Sequence, residues 1–190
     1  MKESRSRSTD KRYYGVAEGL VVDVDDPERE GRVKLQFPWF DDRTVSDWCR
    51  VRQLYAGGGY GTFFIPEVGD EVLVAFIHGD MRLPIVLGGL YNGQDKPSVH
   101  RDAQNDPKLI RTKGGHQILL DDSPGQRKVE VIDAAGNSIT IDSEANTITI
   151  TAAADVTIES KTGTLTLKGV DVKVQGSASV AVKAPQIDLN

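Results

Sequence analysis

This 190-residue chain has one cysteine, Cys49, so it contains no internal disulfide and is consistent with synthesis in a reducing compartment. Aromatic residues make up only 6% of it, and no apolar run approaches the roughly 18 residues that span a bilayer. The first twelve residues are charged throughout and lack an apolar core, which excludes a secretory signal peptide there. A net charge of −5 gives no global attraction to nucleic acid. Gly-x-Ser-x-Gly, His-Glu-x-x-His and Cys-x-x-Cys are all missing, and the Gly57-Gly58-Gly59-Tyr60-Gly61 run lacks the Gly-Lys-Ser/Thr of a phosphate loop. No catalytic, cofactor-binding or metal-ligating set is therefore expected. Asp23, Asp25 and Asp26 read as a solvated turn, because Pro27 occupies a calcium-ligand slot and the glycine is misplaced. Asp121-Asp122 followed by Ser-Pro-Gly also reads as a turn, and His78 beside Gly79-Asp80 as a loop residue.

What is present is alternation. Residues 1–12 form a basic arm, with Lys2, Arg5, Arg7, Lys11 and Arg12 against Glu3 and Asp10. The arm is either flexible or orders against an acidic partner. Residues 13–92 hold five short stretches of period-two alternation or valine enrichment: Val16 to Val24, Arg32 to Phe37, Arg50 to Leu54, Glu71 to Phe76 and Ile85 to Leu90. Five strands in about 80 residues with no helical period predict a small closed OB-type barrel. Trp39, Trp48, Phe63 and Phe64 are expected to pack that barrel or its trimer interface. Residues 93–112 are rich in turn signals and read as a linker.

Residues 113–190 carry a repeat. Apolar residues come in i, i+2 pairs: Val129/Val131, Ile139/Ile141, Ile148/Ile150, Val156/Ile158, Leu165/Leu167, Val172/Val174, Val180/Val182 and Ile187/Leu189. Successive pairs start 10, 9, 8, 9, 7, 8 and 7 residues apart. Fixed-period similarity of this kind signals a stacked architecture. A lone ribbon of such strands has no second layer and exposes both edges. A single-chain β-helix would have too few coils for stability. A meander of hairpins explains the alternation, but not the near-constant step, and it lacks the Asn-Gly turns that two-residue loops prefer. Three identical chains wound about one axis give every pair a shared dry core. With eight strands per face at about 4.8 Å, the prism is about 40 Å long. The expected fold is thus all-β: a small OB-fold barrel followed by an intertwined three-chain β-helix, with the sixteen paired residues as the trimer core.

The barrel also resembles a known family. The run Gly31-Arg32-Val33-Lys34-Leu35-Gln36-Phe37-Pro38-Trp39 is followed by Trp48-Cys49-Arg50-Val51 and Gly59-Tyr60-Gly61-Thr62. Then come Pro66-Glu67-Val68-Gly69-Asp70-Glu71-Val72-Leu73-Val74, Pro84-Ile85-Val86-Leu87-Gly88 and Leu90-Tyr91-Asn92-Gly93. Together these resemble the OB domain of VgrG and baseplate assembly protein V, the central spikes of contractile injection machines. Gly115-His116, Asp121 to Gly125 and Gly136 to Asp142 resemble the start of the VgrG β-helix.

The resemblance implies a homotrimeric, non-enzymatic spike assembled in the cytoplasm and carried in the baseplate of a virion or phage-tail-like particle. It would touch a target membrane only during puncture. Only twelve residues precede the barrel, so the family's hub is expected as a separate protein, which makes a type VI system the least expected setting. The linker is too short for the lysozyme domain of some phage spikes, and no histidine lies where others hold an iron site. A PAAR-type tip protein is expected on Gln186, Ile187, Asp188, Leu189 and Asn190. The competing expectation is an OB-fold module for nucleic acid or glycan, with a β-helical trimerisation tail.

Overall fold

A computed structural model describes residues 12–99, 104 and 106–188. The expected arm (Arg12 apart), His100, Leu189 and Asn190 lie outside the described residues. The chain divides into two compact units, Met1–His100 and Arg101–Asn190.

The first unit is built from alternation. In β7 (Glu71–Phe76), Val72, Val74 and Phe76 turn inward, and in β2 (Lys34–Phe37), Leu35 and Phe37 do the same. Strand β1 (Val16–Asp23) contributes Ala17 and Val21. Between them stands Gly19, where a Cβ would lie 3.2 Å from the Phe37 ring; the missing side chain is the space the ring occupies. β1 pairs antiparallel with both β2 and β7, and β7 pairs with β8 (Pro84–Gly89). β8 runs parallel to β4 (Arg50–Val51), and a Val33–Cys49 bridge joins the start of β4 to the start of β2. The circuit β1-β2-β4-β8-β7-β1 is therefore closed, the five-strand order of an OB barrel. Its core is Ala17, Val21, Val33, Leu35, Phe37, Cys49, Val72, Val74, Phe76 and Val86. The Cys49 thiol donates to the Val33 carbonyl at 2.9 Å, so the one cysteine is spent on barrel closure.

Three strands were not expected. β3 (Asp41–Val45) hangs from β2 as a polar hairpin, while β5 (Ala56–Gly57) and β6 (Tyr60–Gly61) form a hairpin turned by Gly58 and Gly59. Gly59 has φ +81°, which suits a residue without Cβ. The aromatics divide. Trp39 packs on Tyr13 and Phe37 and donates its indole N–H to the Glu18 carbonyl at 2.9 Å. Trp48 is half-buried beneath Lys34. Phe63 is 77% exposed and Phe64 is also exposed, so neither packs the barrel interior. They flank the β5–β6 hairpin instead.

The turn after β1 is organised by one carboxylate. Asp26, the buried polar residue of the barrel, accepts the backbone N–H groups of Glu28, Glu30 and Arg32 and pairs with the Arg32 guanidinium at 2.7 Å. Both its oxygens are thus occupied by its own loop. The Arg32 guanidinium, with those amides, holds the Asp26 carboxyl well below the usual carboxylate range.

In the second unit, β9 (Pro107–Arg111), β10 (Gln117–Asp121), β11 (Lys128–Ile132), β12 (Ser138–Asp142) and β13 (Thr147–Thr151) form one antiparallel sheet in sequential order. β9 lies inside the stretch expected as linker, hidden there by its Pro107 and Lys108. In this sheet the first three pairs, Val129/Val131, Ile139/Ile141 and Ile148/Ile150, are joined by hairpins within one chain. The meander does not need Asn-Gly turns. Its connections are four to six residues long, and each carries one left-handed residue: Gly115, Gly125, Gly136 or Asn146. Beyond Thr151 the described residues form no strand within the chain and contain no positive φ.

Two consequences can be measured in the full chain, because both tryptophans lie in the barrel and report on it alone. Leu35→Ala will cost the barrel about 2–5 kcal/mol by leaving a cavity, read as an earlier fluorescence transition in denaturant. Asp26 is ionised in the fold to lower pH than in the unfolded chain, so its contribution is complete above about pH 4 and is lost as pH falls below it. Asp26→Asn will destabilise the barrel at neutral pH and flatten the acid side of its stability profile.

Candidate functional site: an uncovered apolar sheet face

Strand register lines up the second unit's apolar residues. Ile110, Ile118, Val131, Ile139 and Ile150 face one another across five strands. Beside them run Leu120, Val129, Ile141 and Ile148, with Lys108 completing the second row on β9. Period two places all of these on one face. Burial is inverted there: every one of those nine apolar side chains is exposed, Ile148 by 71%, whereas the polar residues between them on β11 and β12 are half-buried. The opposite face satisfies itself, with Lys128 on Glu130 at 3.2 Å and Thr140 donating to Glu130 at 3.1 Å. The core cluster contains no residue of this unit.

The sheet ends are clasped by carboxylates. Arg127 bonds Glu144 at 2.7 Å, which holds Glu144 below the usual range. Asp121 accepts the Ser123 N–H at 2.9 Å, so the Asp121-Asp122 segment is a turn. His116 lies in the turn before β10, where its Nδ1 accepts the Ala134 N–H at 3.4 Å. His78 is exposed in a short 3-10 turn, Ile77–Gly79.

Past β13, Val156, Ile158, Leu165, Leu167, Val172, Val174, Val180, Val182 and Ile187 are each about half or more exposed. Val170, which falls outside the pair pattern, is fully exposed just after Gly169. At the end of the chain, Gln186 bonds Asp188 at 3.1 Å.

A two-row apolar face left in water is a contact surface. Comparison with known proteins says of what kind. Residues 17–91 match the family model described as the type VI secretion system/phage-baseplate injector OB domain, and residues 107–190 match the phage baseplate V C-terminal trimerisation domain. The chain belongs to the VgrG and phage baseplate V family. The VgrG3 spike protein of the Vibrio cholerae type VI secretion system is 32% identical over 52% of this chain and 11% of its own length. VgrG2a, a type VI spike protein of Pseudomonas aeruginosa, is 34% identical over 57% of this chain and 14% of its own. The V. cholerae actin cross-linking toxin VgrG1 is 32% identical over 58% of this chain and 12% of its own. The chain thus spans under a fifth of the length of the curated relatives it matches. These matches favour a spike component over a nucleic-acid or glycan module. No helix among the described residues is long and apolar enough to cross a membrane.

Charges placed at Ile148 and Ile150, on the outermost strand of the apolar face, will block assembly while leaving the barrel intact. Ile148→Asp with Ile150→Asp should run as a smaller species in light scattering, with tryptophan emission unchanged.

Proposed function

We propose that this protein is the central spike of a contractile injection machine, a homotrimer that acts mechanically and carries no catalytic site. The observation that carries this reading is the uncovered face of nine apolar side chains, in a segment that matches a trimerisation domain. Those side chains are already half-shielded, so covering them is worth on the order of 10 kcal/mol per chain. The half-exposed pairs from Val156 to Ile187 extend the same need along the rest of the unit.

Three copies meet it symmetrically. Three sheets turn their apolar faces to a common axis, and beyond Thr151 the chains supply one another with the strand partners that a single chain lacks. The sixteen paired residues, Leu189 included, are the shared core under this reading. Force along such a body loads many backbone hydrogen bonds in shear at once, which suits a device driven through an envelope. A separate hub protein would bind the barrel unit, and a PAAR-type tip protein would bind Gln186, Ile187, Asp188, Leu189 and Asn190.

The purified 190-residue chain is therefore expected to show three times its mass of 20.7 kDa in light scattering, independent of dilution over the micromolar range. A soluble, folded monomer would overturn the proposal.

A further inference from the structure

A core made of near-identical repeats does not fix its own alignment. Val156/Ile158, Leu165/Leu167, Val172/Val174 and Val180/Val182 present similar apolar pairs, so under the trimeric reading a chain displaced by one repeat would still fill much of the interior. Alignment has to be set where each chain leaves its own sheet. At that point stands a bracket of hydrogen bonds. In the β11–β12 turn, Asp133 accepts the Asn137 N–H at 2.9 Å and the Asn137 side-chain amide at 2.7 Å. It also accepts the Ala135 N–H at 2.8 Å. Held in this way, Asn137 turns its Oδ1 to the N–H of Ala153 at 2.8 Å, sixteen residues on.

The register explains why this contact matters. Ser138 pairs with Thr151 at the last rung of β12 and β13, so residues 137 and 152 are the next opposed positions. No further rung forms; a side chain takes the amide that the ladder would have used. Ala152 and residues 154 to 157 then border an open groove of about 750 Å³, walled on its other side by Ile118, Val131, Ile139 and Ile150.

We propose that Asp133 and Asn137 act as a register pin, ending the intrachain sheet at Thr151 and directing each chain at a fixed height toward the groove side where a second copy enters. This rests on the trimeric reading above. Asn137 and Asp133 are positioning residues: they add little to the shared core and determine which repeats meet.

The test uses a nitroxide spin label on Lys173→Cys, which lies between the paired Val172 and Val174 and so points outward by period two. Cys49 is buried, with its thiol pKa pushed up by desolvation, and stays unlabelled. In a threefold trimer, identical positions stand at equal height, and pulsed dipolar spectroscopy reads one distance. Adding Asn137→Ala should split that distance into two or more while light scattering still gives a trimer. Ala153→Pro deletes the same bond from the donor side, leaves the turn intact, and should do likewise. A general loss of stability would lower the melting temperature without adding a distance. A single unchanged distance in both variants would overturn the pin. A monomeric Lys173→Cys parent would overturn the trimeric reading instead.

Discussion

The arrangement of the C-terminal half follows from where its apolar side chains can go. The barrel closes on itself and hides ten residues with no help from outside. The sheet from Pro107 to Thr151 has the same alternation but forms a single layer whose apolar rows stay exposed. A β-sheet is hydrophobic on one face and must bury it against another element. In this unit no second element exists within the chain among the described residues, and under the trimeric reading the second layer is another copy. Oligomerisation is in that sense part of folding, and the stability of this half depends on protomer concentration.

The two units differ in how they use polar groups. In the barrel, Asp26 is drawn inside a turn and saturated by three amides and Arg32, a local device that fixes the path from β1 into β2. In the second unit, Glu130 sits mid-sheet on the polar face, while the other structuring carboxylates sit at the sheet margins. Asp121, Asp133 and Asp142 each accept amides of their own turns, and Glu144 reaches across to Arg127. Each of these turns also contains a residue with positive φ. Polar chemistry therefore sets the ends of strands, and apolar chemistry sets which face is shared.

Much of this was legible in the sequence. The five barrel strands follow from alternation, and Val72, Val74 and Phe76 could be assigned inward from period two alone. The polar β3 and the glycine-bearing β5–β6 hairpin escaped because Asp41 to Val45 and Ala56 to Gly61 carry no apolar alternation. The C-terminal pairs were visible as a repeat, but pairing within a chain and pairing between chains need the same residues on the strand. Only the turns tell them apart. The steps closed by Gly136 and Asn146 are 10 and 9 residues; the later ones, 8, 9, 7, 8 and 7, overlap them in length, and the difference is that the described residues of those corners contain no left-handed residue. The Asn137–Ala153 bond was out of reach altogether, since an asparagine in a turn gives no sign of a partner sixteen residues away.

The halt of left-handed turns at Asn146 also imposes a timetable. From Pro107 to Thr151 each strand pairs with its neighbour in sequence, contacts that form quickly and need only one chain. The tail beyond has no such local partners and must wait for an encounter between molecules, a slower and concentration-dependent event. Because translation delivers the barrel first, the meander second and the tail last, each nascent chain can finish its private structure before its collective one is demanded. The order of the residues is thereby also the order of construction.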